Sequence, residues 1–426
     1  METLLGGGKG LPMTAASGRA DSGRVQAGIA YTVLLFGGTF GGLLQALLTP
    51  ILPLAADHFG GGTRGAITAQ MIATFSGLGV MIGGPLLGLL TPRIGVRAML
   101  LFSLAFYAIS GSAGLFVESP VLLFISRFLQ GAASAGIVIT TSTLIAARFT
   151  GHARPRFLGF QGALMAVVAF VGLLGSGLLA EWWGWRAPFA LFLLTLPVML
   201  LVILAGRELT AEDKQVVRAS VEKASAAILG SFAPLLGLWR LYLMMILIYT
   251  ASWMIYLQLP FVLADEHISS PSMQSQIIAT GTVVHFLGGL FYGRMEQRMG
   301  GHWMFLFILA CMVLSNLLVF LAQNTAWVVV ACGFAGLAGG NLMIFLQNLL
   351  LGRAPAHARP KAIALMFTAM YLGDFLNPLL ATPLRMWIGN REAFLAVAVL
   401  LLTFLVVQIV RGPQRSVART MPMDGE

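Results

Sequence analysis

The sequence predicts an all-α integral membrane protein of twelve transmembrane helices, arranged as two pseudo-symmetric six-helix bundles. Three observations predict it. Apolar residues fill 58% of the 426 positions and charged residues only 10%, with a mean hydropathy of +0.87, a composition foreign to soluble domains. A span needs roughly 20 apolar residues to cross the hydrocarbon layer, and such stretches occur at 28–54, 67–90, 98–117, 120–147, 158–180, 187–205, 241–263, 275–293, 303–322, 326–351, 362–384 and 393–410. They must be helices, because a backbone in lipid has to satisfy its own hydrogen bonds. The chain also repeats itself at a fixed offset of 205 residues. Gly84-Pro85-Leu86-Leu87-Gly88, followed by Arg93 and Gly95, returns as Gly289-Leu290-Phe291-Tyr292-Gly293, followed by Arg298 and Gly300. His152-Ala153-Arg154-Pro155-Arg156 returns as His357-Ala358-Arg359-Pro360-Lys361, and Gly184, Arg186 and Phe189 return as Gly389, Arg391 and Phe394. An offset that does not drift marks two copies of one folding unit. In apolar sequence that unit is a bundle of membrane helices.

In chain order, residues 1–27 are Gly-rich and polar and read as a disordered tail, without the apolar core and cleavage site of a signal peptide. Residues 28–205 form the N-terminal bundle, 206–240 a polar linker, 241–410 the C-terminal bundle and 411–426 a second tail. The net charge of +10 could suggest a nucleic-acid partner, but its distribution argues for a membrane. With the N-terminus in the cytoplasm, 21 of the 26 Lys and Arg fall on that side, four (Arg64, Arg186, Arg385, Arg391) fall on the other, and Arg127 lies within a span. This is the positive-inside signature. Both termini and the linker are therefore expected in the cytoplasm, with the chain in a plasma or bacterial inner membrane.

Several chemistries lack support. Gly6-Gly7-Gly8-Lys9-Gly10 has the wrong spacing for a phosphate loop, and no strand precedes it. Cys311 and Cys332 fall inside spans nine and ten and read as small packing residues. The six histidines show no metal-ligand spacing. Neither a metal nor a cofactor is expected, nor an enzymatic activity.

Between spans two and three, Gly88-Leu89-Leu90-Thr91-Pro92-Arg93-Ile94-Gly95-Val96-Arg97 resembles the signature loop of the major facilitator superfamily, Gly-x-Leu-x-Asp-Arg-x-Gly-Arg-Arg. The acid is replaced by Pro92 and the first late arginine by Val96; a weaker copy ends in Glu296-Gln297-Arg298-Met299-Gly300. In the family this loop closes the cytoplasmic side, which implies a cytoplasmic gate at Gly88, Arg93, Gly95 and Arg97 and, in the second copy, at Gly293, Arg298 and Gly300. Its arginines can bond the carbonyl ends of helices. Arg127-Phe128-Leu129-Gln130-Gly131 in span four is similar to the family's Arg-x-x-Gln-Gly element, frequent in its proton-coupled exporters. Gly172-Leu173-Leu174-Gly175-Ser176-Gly177 in span five is close to the antiporter pattern Gly-Pro-x-x-Gly-Gly without its proline, and Trp185-Arg186-Ala187-Pro188-Phe189 matches the usual start of span six. The resemblance covers nearly the whole chain and implies the major facilitator fold, of the drug:proton antiporter-like branch with twelve spans.

Of the 16 acids, only Asp374 falls deep in a span. Intramembrane ionisable residues face a cavity or a partner and are functional by default. A carboxyl that is protonated in one conformation and ionised in another can carry a proton; the alternative is a structural acid bonded between helices or capping a helix break at Pro378. Tyr371, Asp374 and Asn377 recur at three-residue intervals, forming one polar stripe. Arg127 is the one basic residue deep in a span, and by depth it could pair with Asp374, hold a substrate anion, or act as a strut between helices. Gln130 and Ser134 share its face. His285 in span eight could relay protons or sit neutral against a carbonyl. Tyr249, Trp253 and Tyr256 make an aromatic stripe in span seven, and Asn341, Phe345 and Asn348 a mixed one in span ten. Because spans one, four, seven and ten line the cavity in the family, these residues, with Tyr31 and Gln45 of span one, would meet substrate; lipid-facing or packing roles are the alternative.

Few charges among many apolar groups favour an amphipathic or hydrophobic ligand. The expectation is a proton-coupled exporter of small organic molecules, working by rocking of the two halves, as a monomer in the lipid bilayer with protons as coupling ion. A symporter or facilitator for uptake of an organic acid or similar metabolite is the alternative. A lipid-modifying membrane enzyme would need an interfacial cluster of His, Asp or Ser, which is missing, and a non-transporting sensor would gain support from an appended signalling domain, also missing.

Overall fold

The computed structural model of the protein describes residues 17–149, 151, 153–205 and 233–412. The rest of the two expected tails and most of the linker lie outside these residues. Every regular element among them is a helix. Eleven segments are long and apolar enough to cross a membrane: Gly28–His58, Gly62–Ile94, Val96–Leu115, Pro120–Arg148, Arg156–Trp183, Ala187–Leu204, Trp239–Asp265, Pro271–Leu321, Thr325–Arg353, Ala356–Ile388 and Asn390–Arg411. One of them, Pro271–Leu321, has 51 residues. At 1.5 Å per residue it would be roughly 76 Å long, more than twice the hydrocarbon thickness. Its regularity fails at Gly300, whose φ of 77° and ψ of 157° are non-helical, so it is two helices meeting at a turn. That gives the twelve spans read from the sequence, numbered one to twelve below. The first helix starts at Ser17, ahead of the boundary expected at residue 28.

The 205-residue offset recurs in the geometry. Spans four and ten, Pro120–Arg148 and Thr325–Arg353, have the same length of 29 residues and begin and end at offset positions. Gly95 and Gly300 both turn the chain with positive φ (90° and 77°), as do Gly184 and Gly389 (82° and 113°), a conformation open to glycine at little cost. The tight helix crossings repeat as well. A Cβ added to Gly131 of span four would strike the carbonyl oxygen of Ser76 in span two, and one added to Gly336 of span ten would strike that of Gly281 in span eight. Each half has its own apolar core, one built around Leu43, Leu100, Tyr107 and Phe192, the other around Met245, Met304, Leu346 and Met366. The fold is the two-bundle arrangement the repeat predicts.

Spans one and seven are broken, at equivalent points. Span one runs as Ser17–Gly37, Phe40–Ala46, a short 3₁₀ turn Thr49–Ile51 and Leu52–His58. Span seven runs as Trp239–Ser252, Met254–Leu257 and Leu259–Asp265. Leu48 and Trp253, 205 residues apart, sit at the two breaks. Pro50, Pro53 and Pro260 remove backbone donors there. Span eleven, in contrast, stays helical from Arg359 to Ile388 through Pro378 and Pro383, so the helix break expected at Pro378 does not occur.

The two faces of the bundle differ. The turns carrying Arg93, Arg97, Arg148, Arg154, Arg353 and Arg359 share one face, here the basic face. On the opposite face the halves touch. Phe75 of span two meets Phe375 of span eleven with ring centroids 5.5 Å apart. Ser270 at the start of span eight donates to Glu181 Oε2 of span five at 3.0 Å, and a Cβ on Gly177 would strike Ser275 Oγ of span eight. Towards the basic face the same interface helices come to the surface. In span five no described residue between Arg156 and Val171 is buried, whereas Leu173, Ser176, Gly177 and Ala180 are. Span eight is mostly buried from Pro271 to Gly281, and from Thr282 to Phe291 only Gly288 is. The molecule is closed on the opposite face and open towards the basic one.

Candidate functional site

Broken helices free backbone carbonyls at mid-depth, and buried polar side chains answer them. In span one the Leu44 carbonyl accepts from Arg127 Nη2 and the Leu47 carbonyl from Ser176 Oγ. Arg127 also donates through Nε to the Ile72 carbonyl of span two at 3.1 Å and through Nη1 to Gln130 Oε1, and its guanidinium lies 4.9 Å from the Phe192 ring centroid of span six. Its side chain is 0% exposed. All of these bonds stay within its own half. Of the roles the sequence left open, this geometry is that of a strut joining spans one, two, four and six. Neighbouring Tyr107 donates to the Phe40 carbonyl at 2.8 Å. Gln130, bonded to Arg127, and Ser134 are both buried.

Asp374 is buried in span eleven, and the hydroxyls of Tyr249 and Tyr371 lie within electrostatic reach of its carboxylate. Glycine makes this approach possible: a Cβ on Gly373 would come within 2.7 Å of the Ile246 carbonyl oxygen and of Tyr249 Cβ, and one on Gly77 of span two within 2.9 Å of Tyr371 Cδ1. Pro378 has no amide hydrogen to give the Asp374 carbonyl four residues back, so a polar weak point sits there although the helix continues. Asn377 does in span seven what Ser176 does in span one. Its Nδ2 donates to the Thr250 carbonyl at 2.8 Å, just before the break, while Thr250 Oγ1 donates to the Gly373 carbonyl at 3.1 Å.

One turn beyond Asn377, towards the opposite face, lies a group that the sequence reading missed. Gln70 of span two, Gln258 of span seven and Thr382 of span eleven are each 0% exposed and bonded to one another across the two halves. A charge deep in a span announces itself in a sequence, whereas a neutral amide among glycines and alanines does not. The available signal was Gln258 at the residue before Leu259-Pro260, a position where helices commonly end.

The remaining expected site residues are dispersed. The ring of Tyr31 is 44% exposed and packs on Phe149 with centroids 5.8 Å apart. The side chain of Gln45 lies outside the described residues. Trp253 and Tyr256, ring centroids 5.3 Å apart, are half-buried, and with Tyr249 they do not form one regular helical stripe because the break at Trp253 intervenes. Asn341 is buried between helices, donating to the Leu337 carbonyl at 2.7 Å with Gly288 of span eight against its amide. Asn348 Nδ2 reaches Tyr292 Oη at 3.4 Å. His285 is exposed on span eight, and a Cβ on Gly339 of span ten would come within 2.9 Å of its Nδ1. At the expected gate, Arg93, Gly95, Gly293, Arg298 and Gly300 are exposed and Gly88 is half-buried on the open, basic face. Arg97 Nη2 donates to the Ile203 carbonyl of span six at 3.3 Å, the helix-end contact its position predicts. Among the described residues no group of three or more His, Cys, Asp or Glu could hold a metal ion.

The sequence matches the family model described as Major Facilitator Superfamily over residues 34–243 and 241–420. Among curated relatives, the uncharacterized MFS-type transporter YfiU of Bacillus subtilis (strain 168) is 29% identical over 140 residues, 32% of this chain and 26% of that protein. The multidrug resistance protein MdtG of Escherichia coli (strain K12 / DH10B) is 28% identical over 143 residues, 33% of this chain and 35% of that protein. The chain thus spans about a quarter to a third of the length of these relatives. Solved structures share the fold over far more of the chain. A D-xylose-proton symporter superposes with a TM-score of 0.65 at 15% identity, covering 88% of this chain and 96% of its own. The nucleoside transporter NupG superposes with a TM-score of 0.66 at 13% identity, covering 92% and 100%. With a family match over both halves and twelve spans in two like bundles, the chain belongs to the major facilitator superfamily, as a multi-pass membrane protein of transporter fold.

Proposed function

We propose that the protein is a secondary active transporter that exports small amphipathic or hydrophobic organic molecules in exchange for protons, by alternating access. The observation that carries this reading is Asp374, a buried carboxylate on span eleven, placed between the closed opposite face and the open basic one beside Tyr249 and Tyr371. A protonatable group at such a level changes its surroundings when the halves rock, so its proton can be taken from one side and released to the other. The basic face is the cytoplasmic one, on the 21 to four charge asymmetry, so the structure is inward-facing. The partial likeness to MdtG supports export.

The bonds that Arg127 makes within its own half support a structural role for it, with Asp374 as the carrier and His285, exposed on span eight, as a relay. Proton-coupled uptake is the second reading, supported by the shared fold with a D-xylose-proton symporter. A screen of cationic dyes and neutral amphiphiles in proteoliposomes under an imposed pH gradient separates the two. Export predicts solute movement opposite to the proton flux; movement with the protons supports uptake, and transport indifferent to the gradient overturns coupling altogether.

A further inference from the structure

We propose that Gln70, Gln258, Asn377 and Thr382 form a hydrogen-bonded clasp that holds the opposite face shut and sets the balance between the two access states. Gln258 Nε2 donates to Gln70 Oε1 at 3.0 Å, and Gln70 Nε2 returns a bond to Gln258 Oε1 at 3.3 Å. Thr382 Oγ1 donates to Gln70 Oε1 at 2.8 Å. Gln258 Nε2 also lies 2.9 Å from Asn377 Oδ1 and 3.2 Å from Thr382 Oγ1. All four side chains are 0% exposed. Three of them come from the C-terminal half, and Gln70 alone comes from the N-terminal half. Within the clasp, every hydrogen bond that crosses between the halves therefore ends on Gln70.

The position of the clasp follows from the internal repeat. Gln70 corresponds by the 205-residue offset to Ser275, and Thr382 to Gly177. Those partners form the second crossing on the same face, where a Cβ on Gly177 would come within 2.6 Å of the Pro271 carbonyl oxygen. The two crossings are symmetric in place and different in chemistry. One packs the Ser275 side chain and the Pro271 carbonyl against a glycine, and the other is a ring of amides and a hydroxyl. Amides suit a contact that must open on every cycle, because their bonds exchange for bonds to water at little net cost when the cavity floods, whereas an apolar seal would resist wetting in proportion to its area. Asn377 is three residues from Asp374 on the same buried face of span eleven, so opening the clasp moves the carboxylate with it.

The inference rests on the alternating-access reading above, and its test reads conformation without substrate or proton gradient, so failure of the export proposal leaves it standing. Nitroxide labels at Thr63 and Trp387 report the opposite-face ends of spans two and eleven, and labels at Ile94 and Arg359 their basic-face ends, all exposed positions. Both cysteines are replaced by Ala, and distances are measured by pulsed electron resonance in detergent. Gln70→Leu and Thr382→Val are expected to raise the ratio of long to short Thr63–Trp387 distances at least tenfold while the Ile94–Arg359 distance shortens. Thr382→Ser, which keeps the hydroxyl, should match the parent. A folded Gln70→Leu or Thr382→Val protein with the parent's distances overturns the clasp, as does a Thr382→Ser protein shifted as far as Thr382→Val. If one of the two removing variants does not fold, the other decides.

Discussion

Arg127→Met keeps an unbranched apolar stem and removes the charge and all the donors, which separates the strut from a coupling role. The Leu44 carbonyl lies in the last turn of Phe40–Ala46, where the helical ladder ends, and Arg127 Nη2 is its donor. Gln130 Oε1 loses its donor too, whereas the Ile72 carbonyl, inside the continuous helix Gly62–Ile94, keeps a place in the ladder. Two buried acceptors left unsatisfied cost about 1–3 kcal/mol each. Part of this is returned because a guanidinium no longer has to be held out of water, which leaves a net loss of about 3 kcal/mol. For domains of 150–250 residues 1 kcal/mol moves Tm by about 2–4 °C, and less for a larger chain, so a fall of about 3–6 °C is expected. Cys311 and Cys332 are buried, at 2% and 0% exposure, so a thiol-reactive fluorophore in detergent reads the unfolding directly. Arg127→Lys, which keeps the charge but not the fork, should lose about half as much. A Met variant that melts with the parent yet loses gradient-driven transport would refute the strut and return Arg127 to proton coupling.

Two further predictions follow from the same geometry and charge. Gly131→Ala and Gly336→Ala each press a methyl group into the facing carbonyl of Ser76 or Gly281, and overpacking of this kind costs about 1–3 kcal/mol; both should melt several degrees lower in the thiol assay, while Gly333→Ala, with nothing within 4 Å, should melt no lower than the parent. A cysteine placed at Ser220 in the linker should react with an impermeant reagent only after the membrane is opened, on the charge asymmetry, and labelling of intact cells would reverse the orientation.

Much of the architecture was legible because its causes are local. Apolar length marks the spans, and the repeat, carried by glycines such as Gly95 and Gly300 that the backbone itself requires, gives the two bundles. Arg97 was legible as a helix-end contact, and it bonds the Ile203 carbonyl. The site was less so. Whether Arg127 faces a cavity or its own half depends on where span one breaks, and the break at Leu48 shows only as scattered prolines. The same kind of break at Trp253 undoes the aromatic stripe read from Tyr249, Trp253 and Tyr256. At Pro378 the error ran the other way, because packing holds span eleven helical through a proline that would end a helix in water. Gln70 and Thr382 lie 312 residues apart, and no local pattern pairs them.

The central claim is that Asp374 carries the proton. In proteoliposomes with an imposed pH gradient, Asp374→Asn keeps the shape of the side chain but cannot change charge. The account predicts that this variant binds substrate and exchanges it downhill at close to the parent rate, while accumulation against a gradient is abolished. Wild-type rates of proton-driven accumulation in the Asn variant would contradict it, making Asp374 structural and leaving the protein uncoupled or coupled through His285.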